Sequence, residues 1–152
     1  MFMDFAIITA NQSNCVKYKV GAVIVKDNRI IIQGYNGTIS GFINCNDKFG
    51  DCCINNKKDR IEHNIWSQAF EVHAEMNIIS YAAKKGISLE NTIMYCTFSP
   101  CNNCLKHLIQ AGIKKVIYKN EYIDNANLDD REQLIKYIEL EYYIENKWTD
   151  KF

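Results

Sequence analysis

The sequence is poor in proline and histidine and has no excess of charge of either sign. Proline occurs once, at Pro100, and histidine three times in 152 residues. Lysine and arginine number 18, as do aspartate and glutamate, so the formal net charge is zero. Proteins that bind a nucleic-acid backbone usually show a basic patch or stripe. The densest basic cluster here, at 57–60, is interrupted by Asp59, so we expect no nucleic-acid partner.

Long hydrophobic runs are absent too. No apolar run approaches the roughly 18 residues of a membrane-spanning helix, and the N-terminus lacks the basic segment of a secretory signal, so we expect no membrane partner. Hydrophobic residues still make up 47% of the chain, enough for a core, and the length suits one domain over residues 1–152. We therefore expect a soluble protein of the cytoplasm. The seven cysteines would there be metal ligands more often than disulfides.

Hydrophobic periodicity and turn residues predict alternating helices and strands. The predicted elements are helix Phe2–Thr9, strands Val20–Lys26 and Ile30–Ile32, helix Trp66–Lys85, strand Thr92–Phe98, helix Cys101–Ala111, strand Lys115–Tyr118, helix Asp129–Ile138 and strand Glu141–Ile144. This order predicts an α/β fold with a largely parallel sheet between two layers of helices. The segment Thr38–Glu62 has no clear period, and so long a segment is more often functional than idle.

Two short motifs indicate a metal centre. His73 precedes Glu75 in Val-His-Ala-Glu, and Cys101 and Cys104 form Pro-Cys-Asn-Asn-Cys with the single proline. A histidine and two cysteines suit zinc, and a catalytic zinc keeps a fourth position for water. Pro100 favours a helix start, where two cysteines three apart share a face and the helix N-terminus favours thiolates. Glu75 would point about 200° away from His73 on a helix, free to act as a general acid/base.

This pair of motifs, H-x-E and P-C-x-x-C, resembles the signature of the zinc-dependent nucleobase deaminases. In that reaction zinc lowers the pKa of its water to about 7, hydroxide attacks the ring, and the glutamate delivers protons to the ring nitrogen and the leaving ammonia. The resemblance implies that Glu75 is catalytic and that the zinc ligands are His73, Cys101 and Cys104. A closed structural zinc site is the alternative, but it would need a fourth protein ligand.

Further metal-ligand types surround the segment without clear period. They are Cys15, Cys45, His63 and Glu71. Two cysteines, a histidine and a carboxylate would make a closed four-ligand zinc site that fastens this segment to the predicted helix of His73 and Glu75. Spacing alone leaves open that these are buried thiols and an exposed histidine, and Cys52 and Cys53 compete with Cys45 for the ligand position.

From about Asn14 to Tyr122 the chain resembles the deoxycytidylate (dCMP) deaminase family, above all its phage and viral members. The matching segments are Val20–Ile24, Gly34–Gly37, Ser40-Gly41, Asn44-Cys45, His63 with Trp66, Glu71–Asn77, Ser99–Cys101 with Cys104, and Ala111–Lys115. The resemblance implies a three-layer α/β/α cytidine-deaminase-like fold whose central mixed sheet has about five strands. It also implies a second zinc on Cys15, Cys45, His63 and Glu71. The C-terminal 30 residues match poorly and support no inference.

The implied activity is hydrolytic deamination of dCMP to dUMP and ammonia, which supplies dUMP for dTMP synthesis. The resemblance further implies substrate contacts at Asn36, Ala74 and Tyr122. It also implies activation by dCTP and inhibition by dTTP near Gly34, Tyr35 and Gly37, a homohexamer, and location in the host cytoplasm if the chain is viral. Family members usually have x-Pro after Gly-Tyr-Asn-Gly, whereas this chain has Thr38-Ile39.

Three alternatives remain open from the residues. A bifunctional enzyme would accept dCTP as well as dCMP. A tRNA adenosine deaminase would use the same zinc core, but the neutral charge argues against a polynucleotide substrate. A zinc-stapled binding module without activity would have no use for Glu75.

Overall fold

The computed structural model describes residues 1–50, 56–122 and 128–144. Within these ranges six helices and seven strands follow one another. They are α1 (Phe2–Ala10), β1 (Gly21–Lys26), β2 (Arg29–Tyr35), β3 (Gly37–Thr38), α2 (Cys45–Phe49), α3 (Lys57–Phe70), β4 (Glu71–Val72), α4 (Ala74–Lys85), β5 (Ile93–Phe98), α5 (Asn102–Gln110), β6 (Lys115–Asn120), α6 (Leu128–Leu134) and β7 (Glu139–Tyr142). None of these helices is long and apolar enough to cross a membrane. Cys52 and Cys53 lie outside the described residues.

A mixed sheet of five strands runs through the described part of the chain in the order β2-β1-β5-β6-β7. The β1–β2 hairpin is antiparallel, and β1 is also antiparallel to β5. Strands β5, β6 and β7 are parallel to one another, joined by crossovers through α5 and α6. The predicted mixed sheet of about five strands is confirmed. The expectation of a largely parallel sheet is wrong, because the hairpin strand β1 joins the parallel half in antiparallel register.

Helices cover both faces of this sheet. On one face α1 contributes Met3 and Ala6, which pack against Val23, Val25 and Ile117. On the other face α4 and α5 contribute the larger core, which includes Ile78, Ala82, Leu105 and Leu108. A Cβ atom on Gly21 would lie 2.3 Å from backbone atoms of Ala6 and Ala10, so only glycine lets α1 approach the sheet this closely. The three-layer α/β/α prediction is thus confirmed.

The predicted single helix Trp66–Lys85 is wrong. The structure has two helices, α3 ending at Phe70 and α4 beginning at Ala74. Between them β4 pairs with β3, Val72 opposite Gly37 and Glu71 opposite Thr38. This antiparallel pairing engages the backbone groups that a continuous helix would have used. The segment Thr38–Glu62 is correspondingly less irregular than predicted, since it includes α2 and the first turns of α3.

Smaller differences occur at other predicted boundaries. Cys101 precedes α5 as its N-cap and does not belong to the helix. Helix α6 ends at Leu134, four residues earlier than predicted, and β7 begins at Glu139, two residues earlier. Element ends are the least certain part of any assignment from sequence because several backbone conformations compete there.

Candidate active site and metal centres

The candidate active site lies at the carboxyl ends of the neighbouring parallel strands β5 and β6, where α/β folds usually bind ligands. Two loops meet there and are fastened to each other. The Ser99 amide donates to Asn120 O at 2.8 Å, and Ser99 Oγ accepts from the Tyr122 amide at 2.8 Å. The Asn120 side chain donates to Thr97 O at 2.8 Å. These bonds fix the backbone that leads into Pro100 and Cys101.

The first cluster of metal ligands joins the starts of two helices. His73 is the N-cap of α4 and Cys101 the N-cap of α5, both with extended backbone. His73 Nδ1 lies 3.7 Å from Cys101 Sγ and 3.3 Å from Cys104 Sγ. A tetrahedral zinc with ordinary bond lengths separates a nitrogen from a sulfur ligand by about 3.6 Å. The cluster therefore fits zinc, with three protein ligands and a fourth position left over.

The electrostatics of this cluster favour a thiolate. The Cys101 thiol accepts a hydrogen bond from Cys104, and this bond lowers the pKa of Cys101. The pKa of Cys104 is raised because it keeps the proton that the two thiols share, and because it is buried. The Cys104 amide donates to Cys101 Sγ at 3.4 Å, as expected where a helix N-terminus faces a negative group. The hydrogen bond to Cys101 raises the pKa of His73.

Glu75 lies in the first turn of α4, beside this cluster, and is only 4% exposed. Burial raises the pKa of its carboxyl, and interactions with His73, Cys101 and Cys104 act on the same group. A buried carboxyl with a raised pKa is suited to taking up and releasing a proton. Glu75 and His73 do not share a helix, so the predicted 200° separation is not the reason that one residue binds metal and the other does not. His73 lies immediately before α4, whereas Glu75 lies in the first turn of that helix.

The second predicted ligand set also forms a cluster. It consists of Cys15 after α1, Cys45 at the start of α2, His63 in α3 and Glu71 in β4, with one ligand atom of each within 4.8 Å of the others. His63 Nε2 lies 3.3 Å from Cys45 Sγ and 3.9 Å from Cys15 Sγ. Glu71 Oε2 lies 3.6 Å from Cys15 Sγ. The structure therefore brings all four predicted residues together.

The chemistry of the second cluster calls for a cation. Glu71 Oε1 is buried and has no hydrogen-bond partner among the described residues, which is uncommon for a buried oxygen. Burial raises the pKa of the Cys15 thiol and raises the pKa of Cys45 to about 12. Burial lowers the pKa of His63, which keeps the imidazole neutral. Two thiols that burial makes weakly acidic would lose their protons more readily beside a positive charge, which a divalent metal would supply.

Aromatic side chains enclose the second cluster on the side of α3. Phe49 packs against His63 and Trp66 with ring centroids 5.2 and 5.3 Å apart, and Phe42 stacks on Phe70 at 4.8 Å. These aromatic contacts fasten the segment after β3 to α3. Sequence analysis missed Ser67, whose hydroxyl donates to Glu71 Oε2 at 2.5 Å. The available signal was its spacing of four residues from Glu71, which would place both on one face of the helix predicted there.

The predicted substrate residues have different environments. Asn36 is buried, and both ends of its amide are engaged. Its Oδ1 accepts from the Val20 amide and its Nδ2 donates to Tyr18 O, each at 2.8 Å. Ala74 is fully buried beneath the site, whereas Tyr122 is 42% exposed. Asn36 therefore braces the segment before β1, and Tyr122 has accessible surface beside the Ser99 loop.

The three residues predicted to bind an effector are separated. Tyr35 and Gly37 line a cavity of about 230 Å³ next to the second cluster, together with Thr38 and Ser40. Gly34 does not line it. A Cβ atom at Gly34 would lie 2.7 Å from the Ile78 side chain, so Gly34 permits the close packing of β2 on α4.

The fold and the Cys/His cluster beside a buried glutamate define a zinc-binding deaminase domain, and comparison with known proteins agrees. The model of the cytidine and deoxycytidylate deaminase zinc-binding region matches residues 1–120, and the chain belongs to this family.

Several individual proteins are also similar to this chain. The deoxycytidylate deaminase of Enterobacteria phage T4 is 37% identical, in an alignment that covers 81% of this chain and 78% of that protein. The deoxycytidylate deaminase of Schizosaccharomyces pombe is 38% identical, and the match covers 80% of this chain but 36% of that protein. A crystal structure of the dCMP deaminase from cyanophage S-TIM5 in complex with dCMP and dUMP superimposes with a TM-score of 0.71, 36% identity and 93% coverage of both chains.

Proposed function

We propose that this protein deaminates dCMP to dUMP and ammonia by hydrolysis. The observation that supports this most directly is the buried carboxyl of Glu75 beside a three-ligand cluster that fits zinc. The phage relatives support the choice of dCMP, since the T4 protein is a deoxycytidylate deaminase and the cyanophage structure contains dCMP and dUMP. We assign His73, Cys101 and Cys104 to the zinc and Glu75 to proton transfer.

When bound, zinc supplies Lewis acidity and makes water available as a nucleophile near neutral pH. Glu75 would take one proton from the attacking water and pass it to N3 of the cytosine ring as the water oxygen adds to C4. It would then take the second proton from the new C4 hydroxyl and pass it to the amino group, which leaves as ammonia when the C4–N bond breaks. Its burial keeps the carboxyl out of bulk water, so the proton stays in the site. The N-termini of α4 and α5 both face the site, where their backbone dipoles favour negative charge.

For substrate binding we propose direct contact by Tyr122 and indirect action by Asn36. Tyr122 is exposed beside the metal-ligand loop, and Ser99 holds its backbone. Asn36 fixes the backbone of Tyr18 and Val20, and Tyr18 packs edge-on against Phe98 at the end of β5, with centroids 5.7 Å apart. Ala74 has no exposed surface, so we propose that it supports Glu75 from below.

We propose further that the second cluster holds a structural zinc. Four ligands in a buried site leave no position for water, and a zinc there would tie α2, α3 and β4 together. We also extend to this chain the activation by dCTP, the inhibition by dTTP, the homohexamer and the cytoplasmic location that the resemblance implies. The support for effectors is the cavity beside Tyr35 and Gly37.

The decisive experiment follows the ultraviolet spectrum of dCMP with the purified zinc-loaded protein. Deoxycytidine, dCTP, a cytosine-containing oligonucleotide and a tRNA are run in parallel. Conversion of dCMP alone supports the proposal, and conversion of dCTP as well would revise it to a bifunctional enzyme. Conversion of the tRNA, or of no substrate while zinc is bound, would reject it. The active enzyme is then titrated with dCTP and dTTP, and a rate that ignores both would reject the proposed regulation.

A further inference from the structure

Arg131 of α6 reaches the loop that carries the first cysteine ligand. Its Nη1 donates to Pro100 O at 2.7 Å and lies 3.4 Å from Asn102 Oδ1. Arg131 is half-buried, whereas its neighbours Asp130 and Glu132 are exposed. It also lies beyond residues 1–120, the region that matches the family model. The contact therefore joins the C-terminal part of the chain to the candidate metal centre.

The position of the bond matters because Pro100 immediately precedes Cys101. The proline ring fixes φ near −65°, so ψ is the remaining soft dihedral angle of Pro100. This angle sets both the direction of the Pro100 carbonyl and the starting direction of Cys101. A charged donor 2.7 Å from that carbonyl holds the angle. Arg131 and the proline ring together thus fix the backbone that directs the Cys101 thiol.

The same guanidinium nitrogen also reaches the residue after Cys101. Asn102 is the first residue of α5, and its Oδ1 faces Arg131 Nη1. The chain is therefore held on both sides of Cys101, whose Sγ lies 3.7 Å from His73 Nδ1. Guanidinium is charged at every working pH and its donors form a rigid fork, which suits two acceptors on one loop.

We propose that Arg131 is a positioning residue for the metal centre. It contacts neither the metal ligand atoms nor the reacting groups, and it acts by orienting Cys101 through the Pro100 carbonyl. The inference rests on the proposed assignment of the first cluster to zinc, but not on the identity of the substrate. It predicts that α6 controls how tightly zinc is retained.

The test measures the rate of zinc release to a chromophoric chelator and the absorption spectrum of the cobalt-substituted protein. Arg131→Ala and Arg131→Lys are compared with Glu132→Gln, an exposed change on the same helix. Cys101→Ser identifies the release phase of the first cluster, because that phase disappears in this variant. A residue that supports a metal ligand typically changes affinity by about 10–100-fold, so we expect release from the first cluster at least roughly ten times faster in Arg131→Ala.

Three further results are expected. The cobalt bands of Arg131→Ala shift, because the geometry around the thiolates changes. Added methylguanidinium slows its zinc release again, which a general loss of stability would not allow. Arg131→Lys lies between Arg131→Ala and the parent, and Glu132→Gln matches the parent.

The proposal is overturned if Arg131→Ala releases zinc and absorbs like Glu132→Gln. It is also overturned if release accelerates equally in every phase, since that would mean a general loosening of the fold. If no zinc-release phase of the parent protein disappears in Cys101→Ser, the zinc centre at the first cluster and this inference are both rejected. A protein that shows the expected Arg131 effects yet does not convert dCMP would reject the proposed substrate and leave the positioning role intact.

Discussion

His73 and Cys101 are the N-caps of two different helices, and their side chains face each other with Nδ1 and Sγ 3.7 Å apart. The two helix N-termini therefore converge on one metal-binding cluster. A cap residue has extended backbone, so its side chain can leave the helix and reach across the site. Glu75 follows within the first turn of α4 and is buried next to the cluster.

Glu75→Gln should abolish turnover without removing zinc. The amide keeps the size of the side chain but accepts no proton, and loss of a general acid/base typically lowers the rate by about 10²–10⁴-fold. Steady-state rates with dCMP and the zinc content by atomic absorption give the answer. Glu62→Gln, an exposed change on α3, is the control. Near-normal activity in Glu75→Gln would contradict the assigned role.

The protein should bind about two zinc ions per chain, as expected if both clusters are occupied. Cys104→Ser should lose one zinc and all activity, because a serine oxygen is a poor replacement for a thiolate in this set. The metal content after gel filtration and the rate with dCMP are measured on the same sample. A Cys104→Ser protein that retains both ions would show that the first cluster is not a zinc site.

His63→Ala should remove the second zinc and lower the free energy of unfolding by more than about 4 kcal/mol, the range reached when a structural metal is lost. The imidazole is central to the cluster because both thiols lie within 3.9 Å of its Nε2. Denaturant unfolding and zinc analysis test this. Cys52→Ser and Cys53→Ser should keep the ion. If either of them loses it, that cysteine replaces Cys45 as the ligand.

Asn36→Ala tests whether Asn36 braces the protein or contacts the substrate directly. Its loss leaves the Val20 amide and the Tyr18 carbonyl without their side-chain partner. A buried group without its partner costs about 1–3 kcal/mol, so the free energy of unfolding should fall by that amount along with activity. Denaturant titration and the KM for dCMP are compared. A raised KM with unchanged stability would instead favour direct contact.

Gly21→Ala should destabilise the fold by roughly 3 kcal/mol or more. The added Cβ would lie 2.3 Å from the Ala10 nitrogen and the Ala6 oxygen, so backbone must move and α1 must shift from the sheet. Gly37→Ala is the matched control, because a Cβ there meets nothing within 4 Å and the change should stay within about 0.5 kcal/mol. Thermal unfolding of both variants tests this prediction. Equal stabilities of the two variants would contradict the close packing of α1 on β1.

Much of the fold could be predicted because local patterns agree with it. The β1–β2 hairpin follows from two β-branched runs around Asp27-Asn28, and both turn residues have the positive φ that such a turn requires. The prediction of one helix over 66–85 is wrong because the apolar pattern continues across the break between α3 and α4. Phe70 looked like part of a buried stripe, yet it is 39% exposed and stacks on Phe42. Hydrophobic periodicity is a local pattern, so it cannot reveal a strand pair formed by residues more than thirty positions apart.

The sequence by itself determined the metal-ligand types, the glutamate between them and the family to which the chain belongs. These follow from side-chain chemistry and short spacings, which hold whatever the rest of the chain does. Only the tertiary structure decided that His73 caps a helix, that Asn36 is engaged by backbone, and that Arg131 reaches the Pro100 carbonyl. Each of these depends on contacts between distant segments, and burial and backbone direction fix such contacts only once the whole sheet has formed.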